Sequence, residues 1–176
     1  MGEHICFRRN ERLATVNPHW RGNPVVRGKF VNRQHRFRPG MGSVLKWRLS
    51  PNPQRKEKKS VKWSPKLNYL RSLDGVVGNS LIWLGHNSFF LQLGRKRIMF
   101  DPVFGDIPFV KRQSDFPANP DIFTDIDYLL ISHDHFDHLD KQSVARLVKN
   151  NPGMKLFCGL GTGELIKGWF PELEVC

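Results

Sequence analysis

Between Leu81 and Cys176 short apolar runs follow one another closely, and the way they are joined changes midway. Leu81–Leu84, Asn87–Leu93 and Arg97–Phe100 are separated only by tight turns, Gly94-Arg95-Lys96 among them, as in antiparallel strands. Asp127–Ser132 and Met154–Cys158 are separated instead by a helical pattern. Asp140 caps it, Val144, Leu147 and Val148 form an i, i+3, i+4 stripe, and Asn151-Pro152-Gly153 stops it. Gly159–Gly163 turns the chain into a second helix over Glu164–Trp169, and Leu173–Cys176 reads as a further strand. Hairpins followed by strand–helix alternation predict an α/β layered domain. Asp127–Ser132, apolar throughout its middle, is expected to be buried on both faces.

Residues 1–73 read differently. Eighteen Lys and Arg stand there against three acids, while residues 74–176 carry ten against thirteen, so the net charge of +12 belongs to the N-terminal part. Pro18, Pro24, Pro39, Pro51 and Pro53 break long elements, and little periodicity is visible before residue 60. Val44–Leu49 fits a helical turn or a short strand. Trp20, Phe30, Phe37 and Trp47 are spaced as anchors of a covering arm. Two parts are therefore expected: a basic arm over 1–73 and an α/β body over 74–176. A basic arm on a slightly acidic body suits an anionic surface, phospholipid or RNA.

Thirteen Phe and five Trp supply a core, which excludes a wholly disordered chain. Three scattered Cys exclude a disulfide framework and point to a reducing, intracellular compartment. Apolar runs of about five residues are far short of the ~20 that a spanning helix needs. No apolar leader follows Met1, and Cys6 stands where a myristoylation signal has Ser or Thr.

Chemistry concentrates in Ser132-His133-Asp134-His135-Phe136-Asp137-His138-Leu139-Asp140. Three of the seven His fall within six residues, directly after an apolar strand, where α/β sheets place ligand sites. His133 and His135, two apart, can turn to one zinc ion. Asp137 and His138 are neighbours whose side chains are expected to diverge and address a second ion. Two such ions share a nucleophilic water. Asp134 is expected to point away, and Asp140 to cap the helix. His86 either lines the site mouth or bonds within its own turn. The long loop 103–123 either meets lipid through Phe104, Phe109, Phe116, Lys111 and Arg112, or packs as an ordinary loop. Gly159–Gly163 is read as a tight strand-to-helix turn, and Cys158 as a small buried apolar residue.

His133-x-His135-x-Asp137-His138 after a hydrophobic strand resembles the signature of the metallo-β-lactamase superfamily. Leu81–Ser88, Asp101-Pro102-Val103-Phe104 and Gly159–Gly163, in this order, extend the resemblance to the family of N-acyl-phosphatidylethanolamine-hydrolysing phospholipases D and its bacterial relatives. The resemblance covers about residues 17–176. It implies the N-terminal half of an αβ/βα sandwich and two zinc ions per complete enzyme. His133 and His135 would hold one ion. Asp137 and His138 would hold the other, with Asp137 orienting the attacking hydroxide. Asp101 and His86 would stand behind the ligands, Asp101 fixing a ligand His. The implied reaction opens the phosphodiester of an N-acylated phosphatidylethanolamine, giving N-acylethanolamine and phosphatidic acid. The implied setting is peripheral, at the cytoplasmic face of membranes or in the cytoplasm.

The family's later ligands, two His and a bridging Asp, have no counterpart, since no His follows His138. The expectation is a truncated chain with weak metal binding, little activity, and one apolar sheet face lacking its partner layer. A nuclease of the same superfamily and a non-catalytic short form are the alternatives. The basic charge lies outside the motif-bearing body, which argues against nucleic acid as substrate. A homodimer stays open.

Overall fold

The computed structural model describes residues 4–12, 17–31, 40–61, 65–108, 112 and 114–176. It divides into two compact units, Met1–Trp63 and Ser64–Cys176. The division falls before the charge boundary at Leu73 because the segment leading to Leu73 is part of the second unit. Leu70 bridges Ala118, and Leu73 is buried in that unit's core.

The first unit holds more regular structure than its aperiodic sequence suggests. Strands β1 (Cys6–Arg8), β2 (Asn23–Val26) and β3 (Lys29–Phe30) form an antiparallel sheet in that order. Strands of two to four residues are too short to show alternation, which is why sequence reading passes over them. Helices α1 (Met41–Leu49) and α2 (Arg55–Ser60) follow, with no buried residue in either. Val44–Leu49 is thus helical. Trp20, Phe30 and Trp47, read as anchors, are exposed, and Phe37 lies outside the described residues.

The second unit is built on a six-stranded sheet: β4 (Ser80–Gly85), β5 (Ser88–Leu93), β6 (Lys96–Phe100), β7 (Tyr128–Ile131), β8 (Lys155–Cys158) and β9 (Glu174–Val175), in that spatial order. β4, β5 and β6 pair antiparallel, and β6 through β9 pair parallel. Helix α3 (Lys141–Asn150) crosses from β7 to β8, and α4 (Thr162–Trp169) from β8 to β9. The mixed α/β architecture agrees with the layered class expected from the alternation of runs.

Register explains the core. Ile82, Phe90, Met99, Leu129, Leu156 and Val175 are successive partners across all six strands. A period of two puts them on one face. Val144, Leu147 and Val148 of α3 and Ile166 of α4 pack against this face with Phe123, Ile126 and Met154. The other face is also apolar. Trp83, Phe89, Phe100, Leu130 and Phe157 form one row, and Leu81, Leu91, Ile98 and Tyr128 another. These side chains are half-buried or exposed, Leu81 and Trp83 most of all. β7, expected to be buried on both faces, is buried on one. Leu129 and Ile131 point into the core, while Tyr128 and Leu130 lie on the open face.

Polar side chains fasten the ends. Asp140 caps α3, accepting from the backbone N–H of Ser143 at 2.9 Å. Asn151, buried after α3, accepts from Ile126 N at 2.8 Å and donates to Phe123 O and Leu147 O, both at 2.9 Å. In the loop after β6, Phe104 and Phe116 pack with Phe123, and Arg112 is tied down by hydrogen bonds. Of the two readings of this loop, the packed one describes these three, and the Phe rings lie partly buried against the core. Phe109 and Lys111 lie outside the described residues.

Candidate metal centre

The parallel strands β6 and β7 both end at one edge of the second unit, and each delivers a polar residue there. Asp101 directly follows β6 and Ser132 directly follows β7. Asp101 is buried and sits at φ 40°, a left-handed conformation uncommon outside Gly. It is held there from several sides. Its N–H donates to Leu130 O at 3.0 Å, and its carbonyl accepts from Ser88 Oγ at 2.7 Å. Its Oδ1 accepts from the backbone N–H of Ser132 at 2.8 Å.

This pinned carboxylate sets the chemistry of the histidines. Ser132 donates its single hydroxyl proton to Asp101 Oδ2 at 2.7 Å. The Ser132 oxygen can then accept from Nδ1 of His133, 3.0 Å away. Nδ1 of His138 lies 2.8 Å from Asp101 Oδ2, which as a carboxylate oxygen only accepts. Neutral His133 and His138 are therefore both protonated on Nδ1, with the lone pair on Nε2. That is the tautomer in which a carboxylate behind the ring prepares a metal ligand.

The turn after Ser132 gathers the rings. His135 O accepts from the N–H of His138 at 2.9 Å and of Leu139 at 2.7 Å, so the chain folds back at once. Ring centroids of His133 and His135 lie 4.5 Å apart, and those of His133 and His138 4.0 Å apart. Asp137 Oδ2 is 3.7 Å from His138 Nε2. These neighbours do not diverge as expected, because the tight turn swings both side chains to the same side. Asp134 is exposed.

His86 occupies the β4–β5 corner at φ 48°. Its carbonyl accepts from Trp83 Nε1 at 2.9 Å, and its buried Nε2 has no partner among the described residues. Burial pushes its imidazole below the ordinary value, and the Arg112 charge adds to this, while Asp137 opposes it. Three further residues escaped the motif reading. Ser132 relays His133 to Asp101. Asn87 Nδ2 lies 2.9 Å from His138 Nε2, covering its lone pair. Arg112 donates to Leu84 O at 2.9 Å and Val103 O at 3.1 Å, bracing the corner that carries Asn87. Gly85, at φ 96°, makes room for it: a Cβ there would lie 2.4 Å from Arg112 Nη2. Asn87 and Ser132 flank recognisable residues, a signal of position alone. Arg112, remote in sequence, gave none.

By donor chemistry the cluster fits zinc: imidazole Nε2 atoms, a carboxylate, and Asp101 behind one ring. Among the described residues no group of three or more His, Cys, Asp or Glu side chains closes on a common point.

The sequence profile of the Beta-lactamase superfamily domain matches residues 96–175, a stretch that includes Asp101 and all of Ser132–Asp140. The chain is 28% identical over 160 residues to a Caenorhabditis elegans protein named N-acyl-phosphatidylethanolamine-hydrolyzing phospholipase D 1, covering 82% of this chain and 45% of that one. It is 35% identical over 77 residues to a UPF0173 metal-dependent hydrolase of Saccharolobus solfataricus, covering 44% of this chain and 31% of that one. Among solved structures, CmlA, a diiron beta-hydroxylase from Streptomyces venezuelae, overlays 56% of this chain and 20% of its own at a TM-score of 0.38 and 21% identity. The chain spans less than half the length of these curated relatives.

Proposed function

We propose, for a chain that belongs to the metallo-β-lactamase superfamily through residues 96–175, that its His–Asp cluster is the ligand-bearing half of a two-zinc phosphodiester hydrolase. The substrate would be an N-acylated phosphatidylethanolamine. His133 and His135 would hold one ion, and Asp137 and His138 the other. The observation that carries this reading is Asp101: one buried carboxylate, directly and through Ser132, sets two imidazoles with Nε2 outward.

Zinc, when bound, supplies Lewis acidity and brings a bound water towards a pKa of ~7. The chain's own residues do the rest. Asp101 and Ser132 hold the rings still. Asp137, half-exposed beside His138, accepts a hydrogen bond from the attacking water and orients it. The oxygen of that water forms a bond to phosphorus, the bond from phosphorus to the ethanolamine oxygen breaks, and the water's proton ends on the departing alcohol. The products are phosphatidic acid and N-acylethanolamine. Among the described residues no third His, Cys, Asp or Glu donor joins either pair, which favours a second reading: metal binding with little turnover.

The test is mass spectrometry of N-acyl-phosphatidylethanolamine incubated with the chain at saturating zinc. Phosphatidic acid and N-acylethanolamine appearing together, slowly against the ~10 s⁻¹ typical of enzymes and lost in Asp137→Asn, support the reaction. Free fatty acid, or no product at all, contradicts it.

A further inference from the structure

One edge of the six-stranded sheet is strand β4, and the ladder shows which of its backbone groups are unused. Asp101 N donates to Leu130 O and Asp127 N to Arg97 O, so odd-numbered positions along β6 face β7 and even-numbered ones face β5. Carried through the register, Phe89, Leu91 and Leu93 face β6, while Phe90 and Gln92 face β4, where their partners are Ile82 and Ser80. Leu81 and Trp83, one residue out of step, direct their N–H and C=O groups away from the sheet. None of these four groups has a hydrogen-bond partner among the described residues. The irregularity in the β4–β5 pairing comes after Trp83, past these groups, and Leu84 O there is taken by Arg112 at 2.9 Å. Exposed edges are ordinarily blunted by Lys, Pro or an inward charge. Ser80–Gly85 carries none of these, and Leu81 is 66% exposed and Trp83 57%.

Beside this edge runs a cleft of about 450 Å³, wholly within the second unit. Residues Leu81–Gly85 of β4 line it, together with Pro65, Leu67, Tyr69 and Pro117. Its charged lining side chains among the described residues are Lys66 and Asp115, whose charges cancel. The cleft therefore asks three things of an occupant. It must offer donors and acceptors in alternation to Leu81 and Trp83, as an extended backbone does. It must bring apolar groups. It must carry no net charge, which sets aside nucleic acid and anionic headgroups. An acyl chain meets the second demand and fails the first. A second copy pairing through its own β4 would bring a whole sheet, and segment 65–70, lining the same cleft, is in the path of the strands that would follow. The geometry points to strand addition: the cleft receives an extended, uncharged segment of a partner protein, rich in Val, Ile, Thr or aromatic residues, that pairs with β4 through Leu81 and Trp83.

The full 176-residue chain, isotope-labelled, is screened by NMR against capped pentapeptides whose three central residues are drawn from Val, Ile, Thr, Tyr and Phe. Members are expected to bind with a Kd of about 100 μM or tighter and to shift the Leu81 and Trp83 amides most. Methylating the peptide nitrogens one at a time should weaken binding about tenfold or more at alternate positions, where the N–H faces β4, and little at those between. Leu81→Pro removes an outward N–H and leaves the ladder to β5 whole, so binding should fall about threefold to tenfold. Leu81→Lys, a charge at an exposed edge position, should weaken binding with no change in melting temperature, and it serves if Leu81→Pro fails to fold. No binding by any member at about 1 mM, or losses on methylation without alternation, would overturn the inference. So would a dimer in sedimentation velocity that Leu81→Lys dissociates, since that places a second copy on the edge. No turnover is read, so the outcome is independent of the reaction proposed for the metal centre.

Discussion

Asp101 Oδ2, just past the end of β6, lies 2.8 Å from His138 Nδ1, across 37 residues of sequence and in the loop that follows the neighbouring parallel strand β7. A carboxylate in this position fixes both the tautomer and the ring plane. Asp101→Asn keeps the size but can present an N–H to His138, turning the lone pair the wrong way. Zinc affinity should fall about 10- to 100-fold, measured by competition with a chromophoric chelator. An unchanged affinity would remove Asp101 from the site.

Asn87 covers the His138 lone pair that a metal would need. Asn87→Ala should therefore raise zinc affinity, by about threefold to tenfold for the loss of one competing neutral hydrogen bond. The same chelator competition reads it. A weaker site in this variant would mean that Asn87 supports the metal instead of competing with it.

Asn151 ties the end of α3 to the segment that precedes β7 through three buried hydrogen bonds, to Leu147 on the helix and to Phe123 and Ile126 before the strand. Asn151→Ala leaves Ile126 N–H and two carbonyls without that partner. The cost should be roughly 2–4 kcal/mol, read by denaturant unfolding.

Gly85→Ala places a methyl 2.4 Å from Arg112 Nη2 at a φ of 96°. Arg112 must leave its bonds to Leu84 and Val103, and Asn87 shifts with the corner. The expected loss is about 1–3 kcal/mol, and the variant should melt earlier than Gly94→Ala. That control also has positive φ but no neighbour within 4 Å.

Asp127 bonds Lys96 and the backbone N–H of Arg97, the latter at 2.9 Å. Burial alone would raise its carboxyl, but these partners override burial and hold it below the ordinary carboxylate range. A lowered folded-state pKa means that the unfolded chain binds the proton first. The stabilisation is thus complete above the ordinary carboxylate pKa of ~3.9 and is lost as pH falls through the lower folded value. Asp127→Asn should flatten the acid limb of the stability–pH curve and leave neutral-pH slopes unchanged.

The second unit was legible because its elements are local signals. Strands of four to six residues bounded by Gly and Pro, and the Asp140 cap with its stripe, each declare themselves within ten residues. The β7 prediction failed on one face for a physical reason. An apolar run records what a strand can bury, and Tyr128 and Leu130 lie on a face left open among the described residues. The short strands β1–β3 pair through backbone bonds that carry almost no side-chain pattern. At the site, the His-rich run was readable because its members are adjacent. Arg112 was not, because its contacts to Leu84 and Val103 exist only after the loop closes.

His133 with His135, and Asp137 with His138, are the two pairs proposed to hold zinc. The most direct measurement is zinc per chain by elemental analysis, after gel filtration and after equilibrium dialysis against buffered free zinc. Loosely held metal is expected, well below one per chain after gel filtration and rising towards two at saturation. His133→Ala/His135→Ala should remove one ion and Asp137→Ala/His138→Ala the other. No uptake at saturating zinc, or uptake indifferent to both double variants, would contradict it.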